Sequence, residues 1–113
     1  MKEVWIHGVR IVTGENAADN WEIIDRARAR NPSFWWVHLS KFPSGHVVIE
    51  HEDVPDSLLN IAGQICLNNT KYRAMRTAKV SCTRLSNIQK GEEVGEVYFR
   101  SNRKVRELLI MNV

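Results

Sequence analysis

Two neighbouring segments decide how this chain folds: Phe34-Trp35-Trp36-Val37-His38-Leu39 and, beyond the loop Pro43-Ser44-Gly45, His46-Val47-Val48-Ile49-Glu50. Both are rich in aromatic and β-branched residues, which favour the pleated strand, and the Pro-Ser-Gly run between them is a turn signal, so they read as a hairpin with a longer loop. If His38 stands opposite His46, strand alternation puts Phe34, Trp36, His38, His46, Val48 and Glu50 on one face and Trp35, Val37, Leu39, Val47 and Ile49 on the other. The second face is apolar apart from one indole N–H and is the expected core. The first places two imidazoles beside a large aromatic ring, groups able to stack on bases and to hydrogen-bond base edges or phosphates.

Working outward, residues 3 to 7 and 9 to 13 read as two short strands broken at Gly8 and closed by Gly14. From Asn16 to Arg30, Ala17, Trp21, Ile24 and Ala27 recur at helical spacing, and Asn31-Pro32 stops the helix. A second helix is expected from Asp56 or Ser57 as N-cap to Asn68, with Leu58, Ile61, Ala62 and Ile65 as its apolar stripe. Ala78, Val80 and Cys82 then alternate with Lys79, Ser81 and Thr83, a half-buried strand whose expected partners are residues 96 to 100 and 104 to 111. Gly91, Gly95 and Ser101-Asn102 supply the turns, with no linker or repeat. The fold class is α+β, a mainly antiparallel sheet with two principal helices.

A chain of 113 residues, 43% of them hydrophobic, makes one domain over 1–113, burying roughly 60 to 70% of its extended surface without a metal or disulfide staple. Cys66 and Cys82 lie in no CxxC pattern and read as reduced core thiols. Early charge and the lack of a long apolar run at the start predict no signal peptide or membrane span, hence a cytoplasmic protein. The net charge of +3 hides a division: residues 71 to 106 carry ten Lys and Arg against Glu92, Glu93 and Glu96, a net of +7, while the rest carries six basic and ten acidic residues, a net of −4. Phosphate backbones are frequent partners of such a local positive field, and solvated strand faces are the alternative.

No nucleophile-elbow, phosphate-loop, zinc-protease, dinucleotide or kinase pattern occurs. An enzyme reading rests on His38 and His46 alone, as an acid-base pair or metal ligands of a hydrolase or nuclease. Glu50, His51 and Glu52 are the only nearby candidates for further ligands, at no recognisable spacing, so neither metal nor cofactor is expected.

The order of motifs resembles the NFACT-R domain, the RNA-binding module of ribosome quality-control factors. Gly14-Glu15-Asn16 and Asp19-Asn20 look like that family's glycine-basic-asparagine element and helix entry. Phe34 to His38 resembles its acidic-x-Trp-Phe-His strand, and Pro43 to Val48 its Gly-His-Val strand. Leu58 to Leu67, Val80 to Thr83 and Gln89 to Val97 resemble its later helix, strand and Lys-rich turn. Glu15 stands where the family has arginine and Phe34 where it has aspartate. The resemblance implies binding of structured RNA, such as tRNA or ribosomal RNA, and a link to the ribosome. The 113 residues contain nothing like the helix-hairpin-helix and coiled-coil regions of large members, so peptide tailing is not expected.

The expected contacts are Trp36, His38 and His46 near bases, with Asn16 and Asn20 added by the resemblance, and Lys71, Arg73, Arg76, Lys79 and Lys90 on phosphates. DNA is the alternative nucleic acid, separable by the 2′-hydroxyl. Docking of a protein partner through an exposed aromatic such as Trp5 is the alternative binding mode.

Overall fold

In the computed structural model, which describes residues 1–112, the chain runs β1 (Lys2–Ile6), β2 (Val9–Thr13), α1 (Ala17–Arg30), β3 (Trp35–Leu39), β4 (Val47–Ile49), α2 (Asp56–Asn68), β5 (Thr77–Arg84), β6 (Ile88–Lys90), β7 (Val97–Phe99) and β8 (Arg106–Met111). Six strands form one antiparallel sheet in the order β1-β2-β4-β3-β5-β8, and β6 and β7 form a separate two-stranded ribbon. The expected α+β class holds. The two-residue turn between β1 and β2 is possible because His7 and Gly8 both take positive φ, 50° and 78°, as a type I′ hairpin turn requires.

The central hairpin has the register read from the sequence: Trp35 pairs with Ile49, Trp36 with Val48 and Val37 with Val47, which brings His38 level with His46. The expectation of one core face is corrected, because the sheet is covered on both sides. Beneath α2, Leu58, Leu59, Ala62, Cys66 and Leu67 pack on Val37, Leu39, Val47, Ile49, Val80 and Ile110. Beneath α1, Ile23, Ile24 and Ala27 pack with Trp36 and Val48, and Leu85 and Ile88 close that cluster.

Helix α1 is turned a little from its expected stripe. Asn20 and Ile23 point inward, Trp21 is half-buried and Ala17 is exposed. Asn16 is its N-cap, accepting a hydrogen bond from the Asp19 N–H. Helix α2 begins at Asp56, but its N-cap is Pro55, which offers no side-chain bond.

Strand β7 does not join the main sheet as expected. It pairs with β6, a strand too short to show alternation, and this ribbon folds over the α1 side of β3. The side-chain amide of Asn87 makes the departure possible: Oδ1 accepts from Ser101 N at 2.8 Å, and Nδ2 donates to Ser101 O at 2.9 Å and Thr83 Oγ1 at 3.0 Å. The chain is thereby led away from the ribbon and back into β8.

Candidate nucleic-acid interface

Trp36, His38 and His46 meet where the hairpin leaves the shelter of α1. The Trp36 ring is stacked on His38, with centroids 5.5 Å apart and planes 2° from parallel. It also meets His46 edge-on at 5.4 Å and Phe99 at 5.5 Å. The two imidazoles lie 5.1 Å apart, nearly perpendicular. Trp36 is only 2% exposed, so the expected stacking of a base on this ring is corrected: its surroundings are protein.

His38 is half-buried and His46 is 4% exposed. His38 Nδ1 lies 2.6 Å from the Leu39 carbonyl oxygen. Only a protonated Nδ1 makes that bond, which leaves Nε2 as an acceptor in the neutral ring. Burial pushes the pKa of His38 down, against the opposing pull of the backbone bonds. Burial, with a smaller contribution from nearby His38, pushes His46 down to about 3. Near neutral pH both rings are therefore hydrogen-bonding groups, not cations. His46 Nδ1 and Trp36 Nε1 are buried without a hydrogen-bond partner among the described residues.

Close backbone contact holds this corner together. Gly14 N donates to His46 O at 3.0 Å, and the Asn20 side-chain oxygen accepts from His46 N at 3.0 Å. A Cβ on Gly45 would meet the Gly14 backbone oxygen at 2.3 Å, so glycine is required there, and one on Gly14 would meet Asn20 Oδ1 at 2.1 Å and push that side chain off the His46 N–H. Asn16 and Asn20, expected at the interface, use their side-chain oxygens to cap α1 and to hold the hairpin.

Around these rings open two clefts that share His38, Pro43, His46 and Gly95. One, of about 590 Å³, lies where the β2–α1 junction, the Pro43–His46 segment and Asn69-Thr70 converge. The other, of about 370 Å³, passes Lys41, Phe42, Ser81 and Phe99. Glu15, at the family's arginine position, borders the larger cleft and pairs with Lys2 Nζ at 3.7 Å. Phe34, at the aspartate position, packs into the α1-side core. The bond that orients His38 comes from the Leu39 carbonyl.

The cations divide sharply. Lys2, Arg10, Arg26, Arg28 and Arg30 pair with carboxylates, and Arg106 pairs with Asp56. Arg84 donates to the Ser33 and Glu52 carbonyls while lying over the Trp35 ring. Lys90, expected on a phosphate, is paired in this structure: its ammonium lies 2.5 Å from Asp25 and sits over the Trp21 ring. Lys71, Arg73, Arg76 and Lys79 are exposed and have no acidic partner among the described residues. Lys41 joins them, a residue the sequence reading missed. Strand β3 ends just before it, where Ser40 N donates to Lys79 O.

The two histidines have little of what acid-base catalysis needs. Among the described residues neither ring is bonded to a carboxylate, and His46 is not poised near neutral pH. Glu50 is held by Arg10 and Arg30, the His51 ring accepts from Asp53 N, and Glu52 accepts from Asn31. No group of three His, Cys, Asp or Glu side chains is arranged to hold a metal among the described residues. Among the described residues no helix is long and apolar enough to cross a membrane. Cys66 and Cys82 are buried free thiols, and desolvation raises both, Cys82 to about 12.

The class of protein is that of a layered α+β sheet with two clefts meeting at His38 and His46, one of them lined by Lys41. The model of the NFACT protein RNA binding domain matches residues 4–101, and the chain belongs to that family. RNA is therefore its partner in general terms. Among solved structures, the C-terminal part of the fibronectin/fibrinogen-binding protein from Streptococcus suis is similar in fold, with a TM-score of 0.85 at 20% identity. The match covers 99% of this chain and 46% of that one, so the chain spans about half the length of the structure it matches. No curated protein matches.

Proposed function

We propose that the chain binds structured RNA, such as tRNA or ribosomal RNA, in the cytoplasm and in ribosome-linked quality control. The observation that carries this reading is that Lys41 lines one cleft, while exposed Lys71, Arg73, Arg76 and Lys79 follow in the chain after Thr70, which lines the other. The unpaired cations hold phosphates, while His38 and the polar rim of Ser44 and Thr70 offer neutral hydrogen-bonding groups to a base edge or a 2′-hydroxyl. His46 and Trp36 act from beneath by fixing the His38 ring.

Anisotropy titrations against labelled tRNA, an unpaired RNA and a matched DNA, each at several salt concentrations, test this. tRNA should bind tightest, and His38→Ala should weaken it by about 0.5–1.5 kcal/mol without changing the salt slope. Equal affinity for DNA would move the function to nucleic acids in general. An unchanged affinity in a folded His38→Ala variant would remove the cleft from the interface.

A further inference from the structure

Apart from Arg84, whose guanidinium donates to the Ser33 and Glu52 carbonyls, the cations without acidic partners among the described residues fall into two groups, and Lys41 of the first lines a histidine cleft. The second is Arg100, Arg103 and Lys104, all exposed and without an acidic partner among the described residues. Their backbone is held firmly. Arg100 N donates to Asn87 O at 2.9 Å, Ser101 is bonded at both N and O by the buried Asn87 amide, and Lys104 O accepts from Thr83 Oγ1 at 2.9 Å. The three heads are thus mounted on a fixed turn at one end of the β5–β8 ribbon. Arg76 and Lys79 stand at its other end, where Asn112 N donates to Arg76 O. At about 3.3 Å per residue, Thr83 beneath the second group is about 13 Å from Lys79 and about 23 Å from Arg76.

Between the two groups, the α1-side face of the ribbon carries Ser81, Glu107 and Leu109, with Leu109 60% exposed. No aromatic side chain stands on this stretch of β5 and β8. Unpaired strands are held by stacking their bases on aromatic rings, whereas a base-paired helix presents phosphates and 2′-hydroxyls that need no ring.

We infer that Arg100, Arg103 and Lys104 form a second phosphate-binding surface, and that the RNA crossing from the cleft to this surface is a base-paired stem lying along the β5–β8 ribbon. The inference rests on the RNA-binding reading above and names the form of RNA that the binding surface takes. Glu107, the one acid on the ribbon, is outnumbered by the cations at either end.

The test compares parent protein with Arg100→Gln/Arg103→Gln/Lys104→Gln by anisotropy. The probes are a hairpin with a stem of about 16 base pairs, the span of a double-stranded-RNA domain, a stem of about five base pairs, and an unpaired strand. Each is titrated at several salt concentrations. The three replaced side chains have no hydrogen-bond or ion-pair partner among the described residues, so the variant should melt at the parent temperature. On the long stem the variant should bind about tenfold more weakly at low salt, with a salt slope shallower by about two. The short stem should be bound equally by both proteins. A long stem bound by the variant with parental affinity and slope overturns the second surface. An equal loss on the unpaired strand overturns the assignment of a stem. Either result leaves the first group intact, because Arg73→Ala/Arg76→Ala must still weaken every probe; failure of the parent itself to bind RNA would sink the underlying reading instead.

Discussion

The two faces of the main sheet come from alternate residues of the same strands, yet they are finished differently. Under α2 the core is built of aliphatic side chains and two buried thiols, Cys66 and Cys82. Under α1 the core includes Trp36 and runs into two histidines, leaving buried nitrogens on Trp36 and His46 without partners among the described residues. Buried polar atoms cost stability unless bonded, so the α2 face stabilises the fold while the α1 face gives up some stability where the clefts open.

The largest test of that contrast is Trp36→Ala. Removing a ring packed by His38, His46 and Phe99 should cost about 3–5 kcal/mol of stability in urea unfolding. A folded variant that loses less than about 1 kcal/mol but binds RNA poorly would return the ring to a stacking role.

Acid separates the faces next. His46 binds a proton in the unfolded chain near its ordinary pKa, but in the folded protein only near pH 3. Stability is therefore complete above about pH 6.5 and falls as the pH drops towards 3, by about 2 kcal/mol between pH 7 and pH 5. His46→Gln should flatten that part of the profile, whereas Leu59→Ala, on the α2 side, should lower the whole curve and keep its shape. A Leu59→Ala variant that lost the acid slope would contradict the assignment to His46.

The smallest expected effect distinguishes two lysines that look alike in sequence. Lys79→Ala should make the salt slope of RNA binding shallower by about one, for every RNA sequence alike. Lys90→Ala should leave it nearly unchanged, since Asp25 already neutralises that ammonium. Equal effects would show that the Lys90 ion pair opens when RNA binds.

The class and much of the local structure were legible because they follow from short-range rules. Alternation fixed the faces of β3 and β4 and the level pairing of His38 with His46, and Asn31-Pro32 ended α1 as the clash at the residue before proline demands. The motif order also pointed to the family that the chain belongs to. β6 and the partner of β7 were not legible, since a three-residue strand shows too little alternation and Asn87, which redirects the chain, carries no signature of that role. The roles of Asn16 and Asn20 were equally hidden: asparagine suits a cap, a backbone clamp or a ligand contact, and only the neighbouring atoms select among them.

By itself the sequence determined the α+β class, the strand faces, the cluster of Trp36 with the two histidines, and the concentration of positive charge in residues 71 to 106. Only the tertiary structure decided which of those groups are available. It covered the Trp36 ring, pushed the pKa of both histidines down, paired Lys90 with Asp25, and left Lys41 with no acidic partner among the described residues. The physical reason is that alternation and helical period act between neighbours along the chain, whereas exposure, ion pairing and protonation depend on atoms that folding brings together from distant positions.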